Sequence, residues 1–421
     1  MIESTELLPG VQLHCCRDTR FKQGALSLQF IRPMKQEESA LNALLPAVLL
    51  RGAEHYPDLR AITLHLDDLY GASVSALVRR VGDYQTTGFY CGFMEDKFAL
   101  VGDEIFRPMV EFVGHLLLKP ALKKGVFCED FVESEKRNLI STIESEKNDK
   151  RVYASAKLLK LMCKGDSFGL PRLGEKEEVE QITAESLYAH YQKILRESPV
   201  ELFYVGSSEV QQVAAQLRQV FSKMDRKAQP LLPQTALQNN DSSDETEQMD
   251  VAQAKLCMGF VTPITNRTPE FAAMQVVNTI FGGGMTSKLF MNVREKLSLC
   301  YSVGSGYYGT KGIVTVSAGI DACKEEVVRR EIFAQLEACR TGDITPAELV
   351  AAKEALLSSL RTVHDSPGAI EGYYATAALS GLILSQKEYI EAVSAVTLED
   401  VIAAAKTLQY HSSFFLKGVG Q

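Results

Sequence analysis

A chain of 421 residues is too long for one ordinary hydrophobic core and points to at least two domains. With 46% apolar and 23% charged residues its composition is globular, and a net charge of -8 excludes the basic footprint of a nucleic-acid or anionic-membrane binder. The N-terminus is acidic and lacks an apolar core where an export signal needs the reverse. The longest apolar run, 40–50, is interrupted by Asn42 and Pro46 and is too short to span a bilayer. The nine cysteines include no C-x-x-C pair, and Cys15 and Cys16 are adjacent, so reduced thiols and a cytoplasmic location are expected.

In chain order, strands are expected over 10–16 and 25–33. A helix follows over 37–50, kinked at Pro46 and stopped by Gly52. A second helix starts at the N-cap candidate Asp58 and buries Leu59, Ile62, Leu66 and Leu69. Strands over 73–81 and 84–93 precede helical stretches over 98–118 and 124–163. A loop over 165–174, a helix over 182–194, a strand over 200–206 and a helix over 208–224 close a first half.

Residues 225–250 have no apolar period and carry Pro230, Pro233 and an acidic run from Asp241 to Glu247, which reads as a solvated linker. The remainder, 251–421, repeats residues 1–224. Leu256, Phe260 and Pro263 match Leu26, Phe30 and Pro33, and an apolar helix then ends on Gly282 as the earlier one ends on Gly52. Thr268 and Pro269 read as N-cap and first helical residue of that later helix. A strand over 311–319, helices over 325–340, 345–363, 368–380 and 398–405, and a strand over 412–417 complete the copy. The expected fold class is α+β: two homologous halves, each an antiparallel sheet with helices packed on one face.

Familiar chemistries are missing. There is no G-x-S-x-G, no P-loop, and none of the seven histidines has another four residues away, so no H-E-x-x-H or H-x-x-E-H exists. Glu54-His55 and His65-Leu66-Asp67-Asp68 bring two histidines with acidic neighbours near each other, and both histidines read as surface residues. What stands out is Gly282-Gly283-Gly284, followed by a helix with Arg294 and a strand with Tyr301. The glycines permit positive φ or close backbone approach, and Arg294 and Tyr301 offer donors suited to a peptide carbonyl or carboxylate.

The stretch from Gly282 to Ser302 closely resembles the second-half signature of the insulinase (pitrilysin-type, mitochondrial-processing-peptidase-like) zinc peptidases, and the resemblance covers nearly the whole chain. Phe168–Gly174 and His364–Pro367 with Tyr373 look like further family segments. Within the family, residues 43–52 and 69–72 most resemble its YmfF-type, non-catalytic bacterial branch, and the resemblance implies two halves forming half of a clam-shell. Active members carry H-x-x-E-H where this chain, aligned on Gly52, has Ala43, Pro46 and Ala47; their third ligand, a glutamate, aligns near Thr142. Glu144 stands two positions on, roughly 200° around the helix, and is a poor substitute. By the same resemblance Arg294 and Tyr301 are substrate-binding residues and Gly282–Gly284 the glycine-rich loop. No metal is expected in this chain, and zinc only in a catalytic paralogue forming a heterodimer with it. The leading expectation is a non-catalytic subunit that supplies Arg294 and Tyr301 to its partner's peptide substrate. A non-enzymatic peptide-binding or assembly protein is the alternative, and a hydrolase with atypical ligands such as His55 or His65 a third.

Overall fold

The computed structural model describes residues 2–239, 241–382 and 384–419, so residue 240 of the expected linker lies outside it. The chain opens with β1 (Ile2–Leu8), which was not expected, paired with β2 (Val11–Arg17). The strand β3 (Gln23–Pro33) leads into α1 (Gln36–Leu49) and α2 (Leu59–Asp68), the latter capped by Asp58, whose carboxylate accepts from the Ala61 N–H. Ile62 and Leu69 are buried as expected, but Leu59 is 46% exposed because it occupies the first turn, beyond the reach of the core.

Next come β4 (Ser73–Val81) and β5 (Tyr84–Met94). The following helix is shorter than its apolar pattern suggests: α3 runs Phe106–Leu118, because the Asp96 side chain accepts from the Ile105 and Phe106 N–H groups and fixes the start there. A two-strand ribbon, β6 (Leu122–Lys123) and β7 (Val126–Phe127), precedes α4 (Glu129–Asn148) and α5 (Lys150–Met162). The single long helix expected here is split at Asp149, whose side chain caps α5 through the Arg151 and Val152 N–H groups. The sequence then forms α6 (Lys176–Glu180), α7 (Ala184–Glu197), β8 (Val200–Gly206) and α8 (Val210–Phe221).

Within the stretch read as linker, Asp244–Met249 forms β9. It precedes β10 (Ala254–Val261) and α9 (Phe271–Phe281). Thr268 does not cap α9; its hydroxyl is engaged with Thr265, and the helix begins two residues after Pro269. A π-helix over Leu289–Lys296, then β11 (Cys300–Tyr308) and β12 (Ile313–Ile320), follow. The last elements are α10 (Glu325–Thr341), α11 (Pro346–Thr362), α12 (Pro367–Ser380), α13 (Gln386–Ala395), α14 (Leu398–Thr407) and β13 (Gln409–Gly418).

Two sheets result, ordered β1-β2-β8-β3-β5-β4 and β11-β12-β10-β13-β9. Each is antiparallel apart from one parallel pair, β2 with β8 and β9 with β13. Read from β4 and from β11, the two orders coincide strand for strand, with β3 and β10 in the same central place. The internal repeat is thus real in three dimensions, and it assigns β9 the place of β2. That explains how an acidic segment without apolar periodicity becomes a strand: it needs only backbone partners at a sheet edge, where charged side chains remain in water.

The fold is α+β, and its residues separate into two compact units that are not contiguous halves. One comprises 1–144, 171–233 and 363–379; the other 145–170, 234–362 and 380–421. The two long helices in equivalent places of the repeat, α5 and α12, are therefore exchanged between the halves. In the first unit Leu26, Leu28 and Phe30 of β3 face the main core with α1, α3 and α7. The alternate residues face α12: Ala25 packs with Ile370, and Ser27 and Gln29 donate to the Glu371 carboxylate at 2.6 and 3.1 Å. Arg79 of β4 closes that cluster with two contacts of 2.8 Å to the same carboxylate, which is fully buried. In the second unit α5 fills the corresponding role, with Leu158 and Met162 against Cys257 of β10 and Phe414 of β13. The central strands, covered on both faces, are buried almost throughout.

Candidate functional site

The α1 positions that resemble a metal motif contain no metal-binding atoms. Ala43 and Pro46 are buried and Ala47 is half-buried. Pro46 also removes the N–H that would bond the Asn42 carbonyl one turn back. The Thr87 hydroxyl from β5 donates to that carbonyl instead, at 2.6 Å, so the orphaned acceptor is satisfied inside the core. The Asn42 side chain is fixed as well: its Nδ2 donates to Gln85 Oε1 at 2.8 Å, and its Oδ1 accepts from His190 Nε2 at 2.7 Å. Burial pushes His190 down to about 4, so the ring is neutral at pH 7 and holds the one proton that this bond requires.

Thr142 is exposed on α4, with its hydroxyl donated to the Asn138 carbonyl at 3.0 Å. Glu144 is exposed too and forms an ion pair with Lys176 at 2.7 Å. Zinc needs three or four converging N, S or O ligands, and these side chains do not provide them. Among the described residues no group of three His, Cys, Asp or Glu side chains converges as metal ligands. His65 lies against Tyr56 and Phe112, and His55 against His115 with ring centroids 4.7 Å apart, an aromatic cluster rather than a ligand set.

The second region starts where α9 ends. Gly282 is its C-cap, and the Gly282 carbonyl accepts from the Ser305 N–H of β11 at 2.9 Å. A Cβ on Gly282 would lie 2.8 Å from that same nitrogen and 2.7 Å from Ser305 Oγ, so glycine is required by this close approach. Gly283 is held tightly against Thr279, whereas a Cβ on Gly284 would meet nothing within 4 Å. None of the three uses positive φ, the other freedom expected of them; the left-handed residue of this junction is Ser298, at φ 48. The approaching backbone at Gly282 is the chain's own.

Arg294 lies on the π-helix, 40% exposed along its side chain. Its guanidinium stands 4.6 Å over the Phe290 ring and 3.6 Å from the Glu295 carboxylate. Tyr301, 62% exposed at the start of the edge strand β11, donates its hydroxyl to Asp321 at 3.2 Å. Asp321 is shared with Lys324 at 3.1 Å, and Lys324 in turn reaches the Ser298 carbonyl at 3.4 Å. Both predicted residues therefore present polar ends to solvent from one helix-to-strand junction, each steadied by a different carboxylate. Sequence reading missed Phe290, Glu295 and Asp321. Phe290 and Glu295 stood within reach as helical neighbours of Arg294, but Asp321 is brought in only by strand pairing.

A family profile described as "Peptidase M16 inactive domain" matches residues 181–356. The chain is 31% identical to "Probable inactive metalloprotease YmfF" of Bacillus subtilis, over 97% of its own length and 96% of that protein. It is 24% identical to an uncharacterized zinc protease of Rickettsia felis over 69% of its length and 71% of that protein. Among solved structures, a conserved protein from Enterococcus faecalis superposes with a TM-score of 0.91 at 29% identity, covering 100% of this chain and 99% of that one. An M16 inactive domain from Pseudomonas fluorescens gives 0.82 at 18% identity, with 99% and 98% covered.

Proposed function

Because the chain belongs to the M16 peptidase family, among its inactive homologues, we propose that it is the non-catalytic subunit of a two-chain zinc peptidase of the cytoplasm. The zinc and its general base would reside in a catalytic paralogue carrying H-x-x-E-H. This chain contributes Arg294 and Tyr301, which bind the backbone of the peptide substrate. The observation that carries the reading is an asymmetry between two sites. The α1 positions Ala43, Pro46 and Ala47 have no side-chain ligand atoms, while Arg294 and Tyr301 present polar groups to solvent at a glycine-rich junction. Arg294 keeps N–H groups that exchange water for a peptide carbonyl at small cost, while Tyr301, whose one hydroxyl proton goes to Asp321, accepts from a peptide N–H with its free lone pair.

The test is reconstitution with a paralogue that carries the intact motif. Cleavage of a peptide library is followed for the pair, alongside zinc per chain and the elution volume of the complex. Arg294→Ala is expected to lower kcat/KM by about 10-fold to 100-fold, the loss of one charge-assisted hydrogen bond, without changing the elution volume. Unchanged cleavage would remove Arg294 from the site. A stable pair that neither cleaves nor binds peptide would favour an assembly role, and zinc bound by this chain alone would favour an enzyme with atypical ligands.

A further inference from the structure

The helical layer of the first unit holds a half-open cavity of about 640 Å³ between α3, α7 and the C-terminal end of α8. That is the volume of a site for a small organic ligand. Its floor is apolar, from Val110, Leu118, Leu195, Val220 and Met224. Its charged residues are four cations, Arg107, Lys119, Arg196 and Lys223, against two carboxylates, Glu111 and Asp225. This local excess of positive charge sits in a chain whose net charge is -8. Arg107 is paired with Glu104 and Lys119 with Glu54, but among the described residues Arg196 and Lys223 have no ion-pair partner.

Two polar atoms of the lining are also unsatisfied. Gln216 Oε1 and His115 Nδ1 are buried, and among the described residues neither has a hydrogen-bond partner. A buried amide oxygen without a donor is costly, and a neutral imidazole nitrogen can either donate or accept. We propose that this cavity binds a small amphipathic anion: an apolar acyl chain ending in a carboxylate, with one amide N–H beside it. The acyl chain covers the apolar floor, the Gln216 amide turns its closed-off oxygen toward the cavity to accept from the N–H, and the carboxylate takes Arg196 and Lys223. The site is separate from Arg294 and Tyr301 and does not depend on the role proposed for them.

The probe is N-decanoylglycine, titrated into the full chain by calorimetry, with N-decanoylglycinamide as its uncharged counterpart. Saturable one-to-one binding with Kd on the order of 0.1–1 mM is expected for a ligand of this size. The amide should bind at least about 10-fold more weakly, as should the acid to an Arg196→Gln, Lys223→Gln double variant. Leu195→Trp, which fills the floor, should abolish binding while leaving the unfolding midpoint near that of the unaltered chain. No saturation by 10-fold above the expected range, or equal affinity for acid and amide, would overturn the proposal. The acid–amide comparison uses the unaltered chain, so it decides even where a variant does not fold.

Discussion

Pro46 and Thr87 show how a proline inside a helix is accommodated one atom at a time. Since Thr87 donates to the carbonyl that Pro46 leaves without a partner, Thr87→Val should cost about 1–3 kcal/mol in chemical denaturation. In a Pro46→Ala background the restored helical N–H takes over, and the same Thr87→Val change should cost much less. Additive losses would mean that the hydroxyl does not serve that carbonyl. His190 makes a prediction about pH. Its folded value near 4 lies below the unfolded value of about 6.5, so both states are neutral above pH 6.5 and the ring imposes no penalty there. As pH falls from 6.5 towards 4, the unfolded chain takes up a proton that the folded ring refuses, and stability drops by roughly 2 kcal/mol between pH 7 and pH 5. His190→Gln keeps a donor for Asn42 but removes this titration, so its denaturation midpoint should fall less over the same range. Parallel curves would exclude His190 as the source. The absence of metal ligands at Ala43, Pro46 and Ala47 was legible in the sequence. The buried polar network beside them was not, because Asn42 and His190 stand 148 residues apart and no local pattern links them.

At the scale of elements, the junction from α9 to β11 distinguishes glycines that look alike in sequence. Gly282→Ala would push a methyl group into the Ser305 backbone and is expected to destabilise the second unit by about 1–3 kcal/mol. Gly284→Ala, facing open space, should leave the melting temperature within a degree or so. Equal effects at both positions would show that the loop is not held by its approach to β11. Strands and helices with strong periodicity were read well; β4 and β8 have the bounds expected of them. The misses have local physical causes. Asp96 and Asp149 cap helices earlier or later than the apolar pattern implies, and β1 and β9 lie at or near sheet edges, where hydrophobic alternation is not needed.

For the whole molecule, the duplication was legible because Leu26, Phe30 and Pro33 recur as Leu256, Phe260 and Pro263. The exchange of α5 and α12 was not, since a helix that covers a sheet looks the same whichever sheet it covers. The buried Glu371 carboxylate, held by Arg79, Ser27 and Gln29, makes that exchange specific. Fragments 1–224 and 251–421 are accordingly expected to be protease-sensitive when produced separately and to become resistant when produced together. A resistant, monomeric 1–224 fragment would show that α12 adds little to the first sheet.

The position of α12 near the end of the chain also sets a timetable for biosynthesis. Ser27 waits for Glu371, 344 residues later, so the first sheet leaves the ribosome with one face bare. At about 5–20 residues per second, that face stays uncovered for tens of seconds. Throughout that interval the nascent chain exposes the kind of surface that chaperones shield, and a strand made 344 residues before its partner is among the last to reach its final state.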